Sequence, residues 1–473
     1  MPPLQRPAHR TEVTLPPRTG VLAANTDVLV VGGGPAGFGA AVAAADAGAE
    51  VVLVERYGFL GGNATVALVM PLMSFHNERK QAVISDDTRI LPTDHGEGDP
   101  VVAGVLGRLL ARLTATGGAV PPSPDTGYTV PFDPEQLKQV MQDMIDEAGV
   151  QVLYHSLASG TAPLADGHRV VFETKSGPVV IDARVVVDCT GDGDVAAAAG
   201  AAYDVGREED GLTQPMTLQF RLVDVLVPQF SRYVDDHPDQ WRGVHGLWDL
   251  VREATVAGEL ELPREDMLFF STPHPREISV NSTRVTAVQA TDVWDLTLAE
   301  IVSRRQMAEI ARFLQERVPG FAEAYVAQSG MIGVRESRRF IGEYQLTGHD
   351  VLAARRFGDA IAQCAYPVDI HNPEGPGTLL RRLPQGESFD IPLRCLLPGD
   401  VDDLLVAGRC ISGTHVAHSS YRITPVSMAT GQAAGVCAAL AAKTGRQPRH
   451  VPARDVQRVL RKQGAQLRDN LGE

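Results

Sequence analysis

Cysteine is scarce in this chain of 473 residues. Cys189, Cys364, Cys395, Cys410 and Cys437 are an odd, scattered set with no CxxC pair. That spacing excludes a disulfide framework, a cysteine zinc site and a dithiol redox centre, and it provides no cluster of thiolates for iron and sulfur. Basic residues are also in the minority, 43 against 58 acidic ones, for a net charge of -15. Nucleic acid is therefore not an expected partner, because affinity for a phosphate backbone needs a basic surface. No run of 18 apolar residues free of charge is recognised, so no membrane span is expected. Residues 1–24 hold proline and arginine without an apolar segment, which reads as a loose N-terminal leader rather than a secretory signal. A cytoplasmic location follows as an expectation.

What is abundant points to a loop-rich α/β chain: 44% hydrophobic residues, 21% charged, 46 glycines and 32 prolines. The length exceeds one ordinary core and suggests two closely packed domains. The strongest local pattern begins at Asp27. The apolar, β-branched run Asp27 to Val31 predicts a buried parallel strand. Gly32, Gly34 and Gly37 follow as GxGxxG, with Ala36 inside the motif and an alanine-rich helix after it. In that pattern the first glycine permits a tight turn, the second lets backbone approach a pyrophosphate, and the third lets helix and strand pack closely. Free amides at the helix start then face the phosphates. A second strand, Val51 to Val54, ends at Glu55, placed to accept hydrogen bonds from an adenosine ribose. A glycine-rich turn beside a surface glutamate is the plainer reading, but strand, helix and acid at this spacing together favour the dinucleotide fingerprint. The fingerprint alone leaves NAD and FAD both open.

The residues that follow bear on that choice. Arg56 and Tyr57 lead into GFLGGNAT, with Gly62, Asn63, Ala64 and Thr65. With LVVGGGPAG before it, this segment resembles the FAD-dependent oxidoreductases with a glutathione-reductase-like or fumarate-reductase-flavoprotein-like FAD domain. The resemblance extends over nearly the whole chain. It implies an α/β fold: a Rossmann-like FAD-binding domain with an inserted α+β substrate domain. It also implies FAD as cofactor, with the 62–65 turn running along the pyrophosphate and flavin. A strand at Val150 to Tyr154 would lay Val152 beside the adenine. The segment Arg184 to Asp194 reads as a strand running into a glycine turn, and by resemblance Thr190 and Gly191 lie under the cofactor. Near the end, a strand Leu404 to Ala407 leads to Gly408 and Arg409, and then to a helix with Thr424 as its cap, Pro425 in its first turn and Gly445 as its stop. The resemblance assigns the amides near Val426 and Ser427 to the flavin pyrimidine edge, where a helix N-terminus would stabilise the charge of the reduced ring.

The expected organisation is therefore a leader (1–24), a first FAD-binding part (25–205), a substrate or cap domain (206–395), a second FAD-binding part (396–450) and a C-terminal helix (451–473). Helices are predicted at Val102 to Thr116, Glu135 to Ala148 and Leu296 to Arg317, and a hairpin around Ser176 and Gly177. Asp192 and Asp194 read as acids at a helix start rather than as a metal pair, and no metal site is expected. Arg335, Arg338 and Arg339 have helical i, i+3, i+4 spacing; Arg338 is a candidate clamp for an anionic substrate, with neutralisation of local acids as the alternative. His371, beside Asp369, is a candidate acid–base group or a structural histidine. His415, His418 and Tyr421 lie in a loop expected to border the flavin, and His76 is a further candidate.

The resemblance implies hydride transfer at flavin N5 to or from a small organic metabolite, an anionic one if Arg338 is its clamp. The electrons would pass to or from an external carrier or O2. No histidine follows Gly62 in the manner of a covalent flavin link, so non-covalent FAD is expected. One dinucleotide fingerprint leaves no second one for NAD(P)H. A redox-neutral flavoprotein of the isomerase or hydratase type, or an electron-transfer subunit, is the alternative, and a homo-oligomer is left open.

Overall fold

The computed structural model describes residues 5–8, 11–77, 98–123, 126 and 128–468. The polar part of the 76–131 segment that lies at 78–97 falls outside them, as do parts of the expected leader and C-terminus.

The main sheet grows from the apolar runs. Strand β1 (Val21–Val31) feeds helix α1 (Pro35–Asp46), and the chain returns through β2 (Val51–Val54). All four residues of β2 are buried, as a parallel strand covered on both faces requires. Strands β3 (Gln151–Leu153), β4 (Leu157–Pro163), β5 (His168–Thr174) and β6 (Gly177–Asp188) complete a sheet of order β3-β2-β1-β6-β5-β4. Strand Leu404–Val406, more than 200 residues on, adds in parallel to the far end of β6. Strand β1 begins at Val21, paired with Val179, so the last residues of the expected leader belong to the sheet. The hairpin strand and the motif strand, expected as two, form the single β6. Its first half pairs antiparallel with β5 while its whole length lies parallel to β1.

Helix α1 has alanine or glycine at most positions and is buried nearly throughout. It packs on the helix Thr424–Thr444, and glycines set how closely. A Cβ on Gly431 would lie 1.9 Å from the Ala36 carbonyl oxygen, one on Gly435 2.1 Å from that of Ala40, and one on Gly39 2.4 Å from that of Met428. Thr424–Thr444 is long and apolar enough to cross a membrane by composition, contrary to the expectation that no such run exists, but this helix is packed within the protein core. Its N-cap is Ile423, Thr424 being the first helical residue, and Gly445 closes it at φ 62°.

A second sheet is antiparallel, with Tyr325–Ser329, Phe220–Val223, Glu277–Val280, Met267–Ser271, His245–Gly246 and Trp241–Arg242 side by side. The helix Val293–Arg317 belongs to this unit. Its apolar core runs from Met216 to Val334, whereas residues from Phe340 to Leu397 pack into the first core. The division between cores therefore falls near residue 335, well before the expected boundary at 395. The C-terminal helix is Ala453–Lys462.

Candidate functional site

A cleft of about 430 Å³ runs along the ends of the main-sheet strands and into the second unit. Its first stretch is built from backbone. Gly32 turns the chain at φ 97°, with its α-carbon so close to Cys189 that a side chain would overlap the carbonyl oxygen. Gly34 leads into α1, and a Cβ there would have only the Gly62 α-carbon within 4 Å, at 3.7 Å, so the space above it faces the cleft. No side chain caps α1, and its first turn holds no acid. Its leading amides are thus available to a phosphate. Gly37 does not line the cleft; any side chain there would overlap the Gly32 carbonyl, so its role is close packing.

Glu55 is buried at the end of β2. One carboxylate oxygen accepts from the Gly33 amide at 2.5 Å and the other from Tyr57 at 2.9 Å. Burial raises its pKa, and these hydrogen bonds and Arg56 act against the rise. Arg56 lines the cleft beside it, over the Tyr57 ring. The backbone facing this end is Ser156 to Ala158; Val152 sits within the sheet, paired with Leu53, and does not line the cleft. The β3 strand is too short to reach the opening, and the turn after it takes that place.

Three turns close on the middle of the cleft. Gly62 lies against Gly34, where a Cβ would stand 2.8 Å from the Gly34 α-carbon, and Asn63 donates to the Val334 carbonyl at 3.0 Å, tying the turn to the second unit. Ala64 and Thr65 point inward, Thr65 donating to Leu60 at 2.7 Å. Thr190 and Gly191 form the second turn, ordered by Asp188, which accepts from the Thr190 amide and hydroxyl and from Ala196. Burial holds Asp188 up at about 6 against those hydrogen bonds. Gly408 and Arg409 form the third, and the Gly408 amide donates to Thr430. Arg409 reaches across to Asp192 at 2.7 Å and so locks the second turn to the third. Asp194 pairs with Arg338 at 3.0 Å. Both aspartates are thus engaged by arginine. Arg409 Nε is buried without a partner among the described residues and lines the cleft.

These features fit FAD: a glycine cradle open above Gly34, an acid at the ribose position, free helix-start amides and an arginine with an unused donor. Where the resemblance puts the flavin, the cleft is lined by Ile423, Thr424, Pro425 and Ser427. Of the two amides assigned to the pyrimidine, that of Ser427 is taken by the Ile423 carbonyl at 2.9 Å, while that of Val426 lies in the first helical turn, where amides lack intrahelical acceptors.

The far end of the cleft is polar and cationic. Arg335, not Arg338, enters it, anchored on the Pro215 carbonyl at 2.8 Å and Thr217 Oγ1 at 2.5 Å. The segment around it is not helical. Arg338 begins the strand Arg338–Phe340 and does not line the cleft; its guanidinium pairs with Asp194 and lies over the face of Tyr203. Arg339 is buried against Glu336, which also holds His415 at 2.9 Å. Arg422, which sequence reasoning passed over, lines the cleft and pairs with Asp369 at 3.3 Å.

His371 lines the cleft, but both its nitrogens have neighbours: Thr378 Oγ1 at 3.2 Å and Asp369 at 3.5 Å. Burial, then the charge of Arg335, pushes its pKa down to about 3, so it is neutral. His418 and Tyr421 lie not in a loop but on the helix His415–Tyr421, capped by Thr414 and fully buried. Neither lines the cleft. Tyr421 donates to the Ile411 carbonyl at 2.9 Å, and neither ring nitrogen of His418 has a partner among the described residues. His76 packs on Phe75 and Tyr128, away from the cleft lining.

A family model described as FAD dependent oxidoreductase matches residues 27–460. A fumarate reductase (cytochrome) of Shewanella frigidimarina is 38% identical over 85 residues, 17% of this chain and 15% of that protein. A urocanate reductase of Eggerthella lenta is 35% identical over 106 residues, 20% of this chain and 17% of that protein. The chain therefore spans about a sixth of the length of these curated relatives. Among solved structures, a geranylgeranyl bacteriochlorophyll reductase-like protein from Thermoplasma acidophilum aligns at 13% identity with a TM-score of 0.42, over 93% of this chain and 82% of that one.

Proposed function

Because the chain belongs to the FAD-dependent oxidoreductase family, we propose that it exchanges a hydride between FAD and a small organic anion held by Arg335 and Arg422. Bound FAD supplies the chemistry, taking or giving a hydride at N5. The protein's part is to orient the anion and exclude water.

The observation that carries this reading is the charge at the far end of the cleft. Arg335 is half-buried with no carboxylate among its hydrogen-bond partners, and its pKa is pushed down to about 9, first by loss of solvent and then by Arg422 and Arg264. Arg284, close to the same group, is pushed down to about 10, again by burial first and then by Arg264. Of the carboxylates, Asp369 acts on both Arg335 and Arg422: it pairs with Arg422 at 3.3 Å and acts on Arg335 only at longer range. A desolvated guanidinium without a direct carboxylate partner is relieved by a bound anion, and arginine forks match carboxylates in shape. The electrons then pass to or from an external carrier or O2, and FAD is held without a covalent bond, so acid should release it intact.

The test is anaerobic mixing of the holoenzyme, oxidised and photoreduced, with a panel of carboxylates and their amides. Fumarate and urocanate are included because they appear in the names of the relatives. One carboxylate should bleach or restore the flavin stoichiometrically and saturably. Arg335→Gln should weaken its binding by about tenfold or more while leaving a neutral amide analogue nearly unaffected. A panel that leaves the flavin unchanged, or equal loss for anion and amide, would count against an anionic substrate.

A further inference from the structure

The motifs single out no acid–base residue in the second unit, yet its sheet sets a histidine–carboxylate pair in the cleft wall. His245 lies on the two-residue strand His245–Gly246, in register with Arg242 on one side and Leu268 on the other. Its Nδ1 is 2.5 Å from Asp266 Oδ2. The other oxygen of Asp266 accepts from Arg264 at 3.2 Å; the Arg264 side chain is buried and that of Asp266 half-buried, while His245 keeps 39% of its side chain exposed. Burial opposes the ionisation of Asp266, but the hydrogen bond from His245 and the charge of Arg264 outweigh it and hold the carboxyl well below its ordinary range. An ionised Asp266 fixes the proton of neutral His245 on Nδ1 and leaves the Nε2 lone pair free.

Two histidines line the cleft among the described residues, and they differ in this respect. His371 has a neighbour at each nitrogen, whereas Nε2 of His245 has no hydrogen-bond partner among the described residues. Val244, Leu268 and Phe270 form a small apolar cluster around His245 on the same wall, which limits water on that side. The charges facing it are Asp266 and Arg264 from the preceding loop, Arg284 behind Arg264, and Arg242 on the paired strand, which lies over the Trp248 ring.

We propose that His245 is the acid–base residue of the cleft, exchanging a proton with the substrate at Nε2, and that Asp266 and Arg264 are its positioning residues. This rests on the reading of the cleft as a substrate site. Two-electron oxidation removes one hydride, which is the share of FAD, and one proton, which Nε2 takes to become an imidazolium still bonded to Asp266 through Nδ1. Reduction runs in reverse, Nε2 returning the proton as the hydride is delivered.

The experiment is NMR of the FAD-loaded enzyme labelled in histidine, with His245→Gln identifying the signal. The His245 ring should show the Nδ1-protonated tautomer, and its ring resonances should shift when the flavin is photoreduced. Asp266→Asn should lose the tautomer preference. With any carboxylate that bleaches the flavin, His245→Gln should slow flavin reduction about 10²–10⁴-fold at unchanged FAD affinity. Asp266→Asn should slow it less and shift its pH profile. A His245 signal unmoved by flavin reduction overturns the proposal, as does flavin reduction in His245→Gln within about threefold of the unsubstituted enzyme. If no carboxylate acts on the flavin, the anionic-substrate reading fails on its own, and the response of His245 to flavin reduction still decides this one.

Discussion

The Glu55 carboxylate organises the turn by accepting the Gly33 and Tyr57 amides, and it lines the cleft where the fingerprint expects the adenosine ribose. Glu55→Arg would remove both acceptors and place a second cation beside Arg56. FAD affinity should fall at least about tenfold, measured by flavin retained after gel filtration. Wild-type retention would detach Glu55 from cofactor binding. His371 leads to a pH prediction. Its folded pKa lies at about 3, below the ordinary 6.5, so its contribution to stability is complete above 6.5 and is lost as pH falls towards 3. Asp188 runs the other way, since its folded value is raised to about 6 from 3.8. Its contribution is complete below 3.8 and is lost as pH rises through 6, so on acidification it partly offsets the loss from His371. His371→Gln should therefore lose less stability than the unsubstituted protein between about pH 7 and pH 5, as read from urea midpoints. Parallel declines would show that His371 does not control this acid sensitivity.

At the scale of elements, the pairing of α1 with the helix Thr424–Thr444 determines whether the glycine cradle keeps its shape. The composition of each helix is plain in the sequence, but the contact of Gly431 with Ala36 and of Gly435 with Ala40 joins residues almost 400 positions apart. A Cβ at Gly435 meets backbone, which cannot rotate aside. Gly435→Ala should destabilise the protein by about 1–3 kcal/mol through overpacking. Gly431→Ala should in addition weaken FAD binding, because Ala36 itself lines the cleft. Calorimetry with and without added FAD separates the two effects, and an unchanged Tm for Gly435→Ala would mean that the helices can move apart freely. The 331–340 segment teaches the opposite lesson about legibility. Its arginines have helical spacing, yet the chain there is not helical: Arg335 lies in irregular chain before the strand Arg338–Phe340, which pairs with Tyr203–Val205. The side chain that enters the cleft is Arg335, held on Pro215 and Thr217, rather than Arg338, held on Asp194.

For the whole molecule, the cleft is a joint product of the two chain ends and the inserted unit. The Gly32 and Gly408 turns come together because β1 and Leu404–Val406 flank the same strand, β6. The single GxGxxG is committed to one dinucleotide, so NADH and NADPH should reduce the flavin slowly and without saturation in stopped-flow traces. Fast, saturable reduction would reveal a second nucleotide site.

The sequence by itself determined the cofactor cradle: the GxGxxG turn, Glu55, and the glycine turns at 191 and 408. The glycine turns act through backbone geometry set within a few residues, and a glycine that needs φ near 80–97°, as Gly191, Gly408 and Gly32 do, is recognisable without knowing its distant neighbours. Glu55 follows from its position at the end of its strand. The tertiary structure decided which arginines and histidines line the cleft. His245 meets Asp266 across 21 positions, Arg335 meets Pro215 across 120, and Arg422 lies 53 from Asp369. Strand register and domain packing bring these side chains together, and no local periodicity records which of them the fold turns inward.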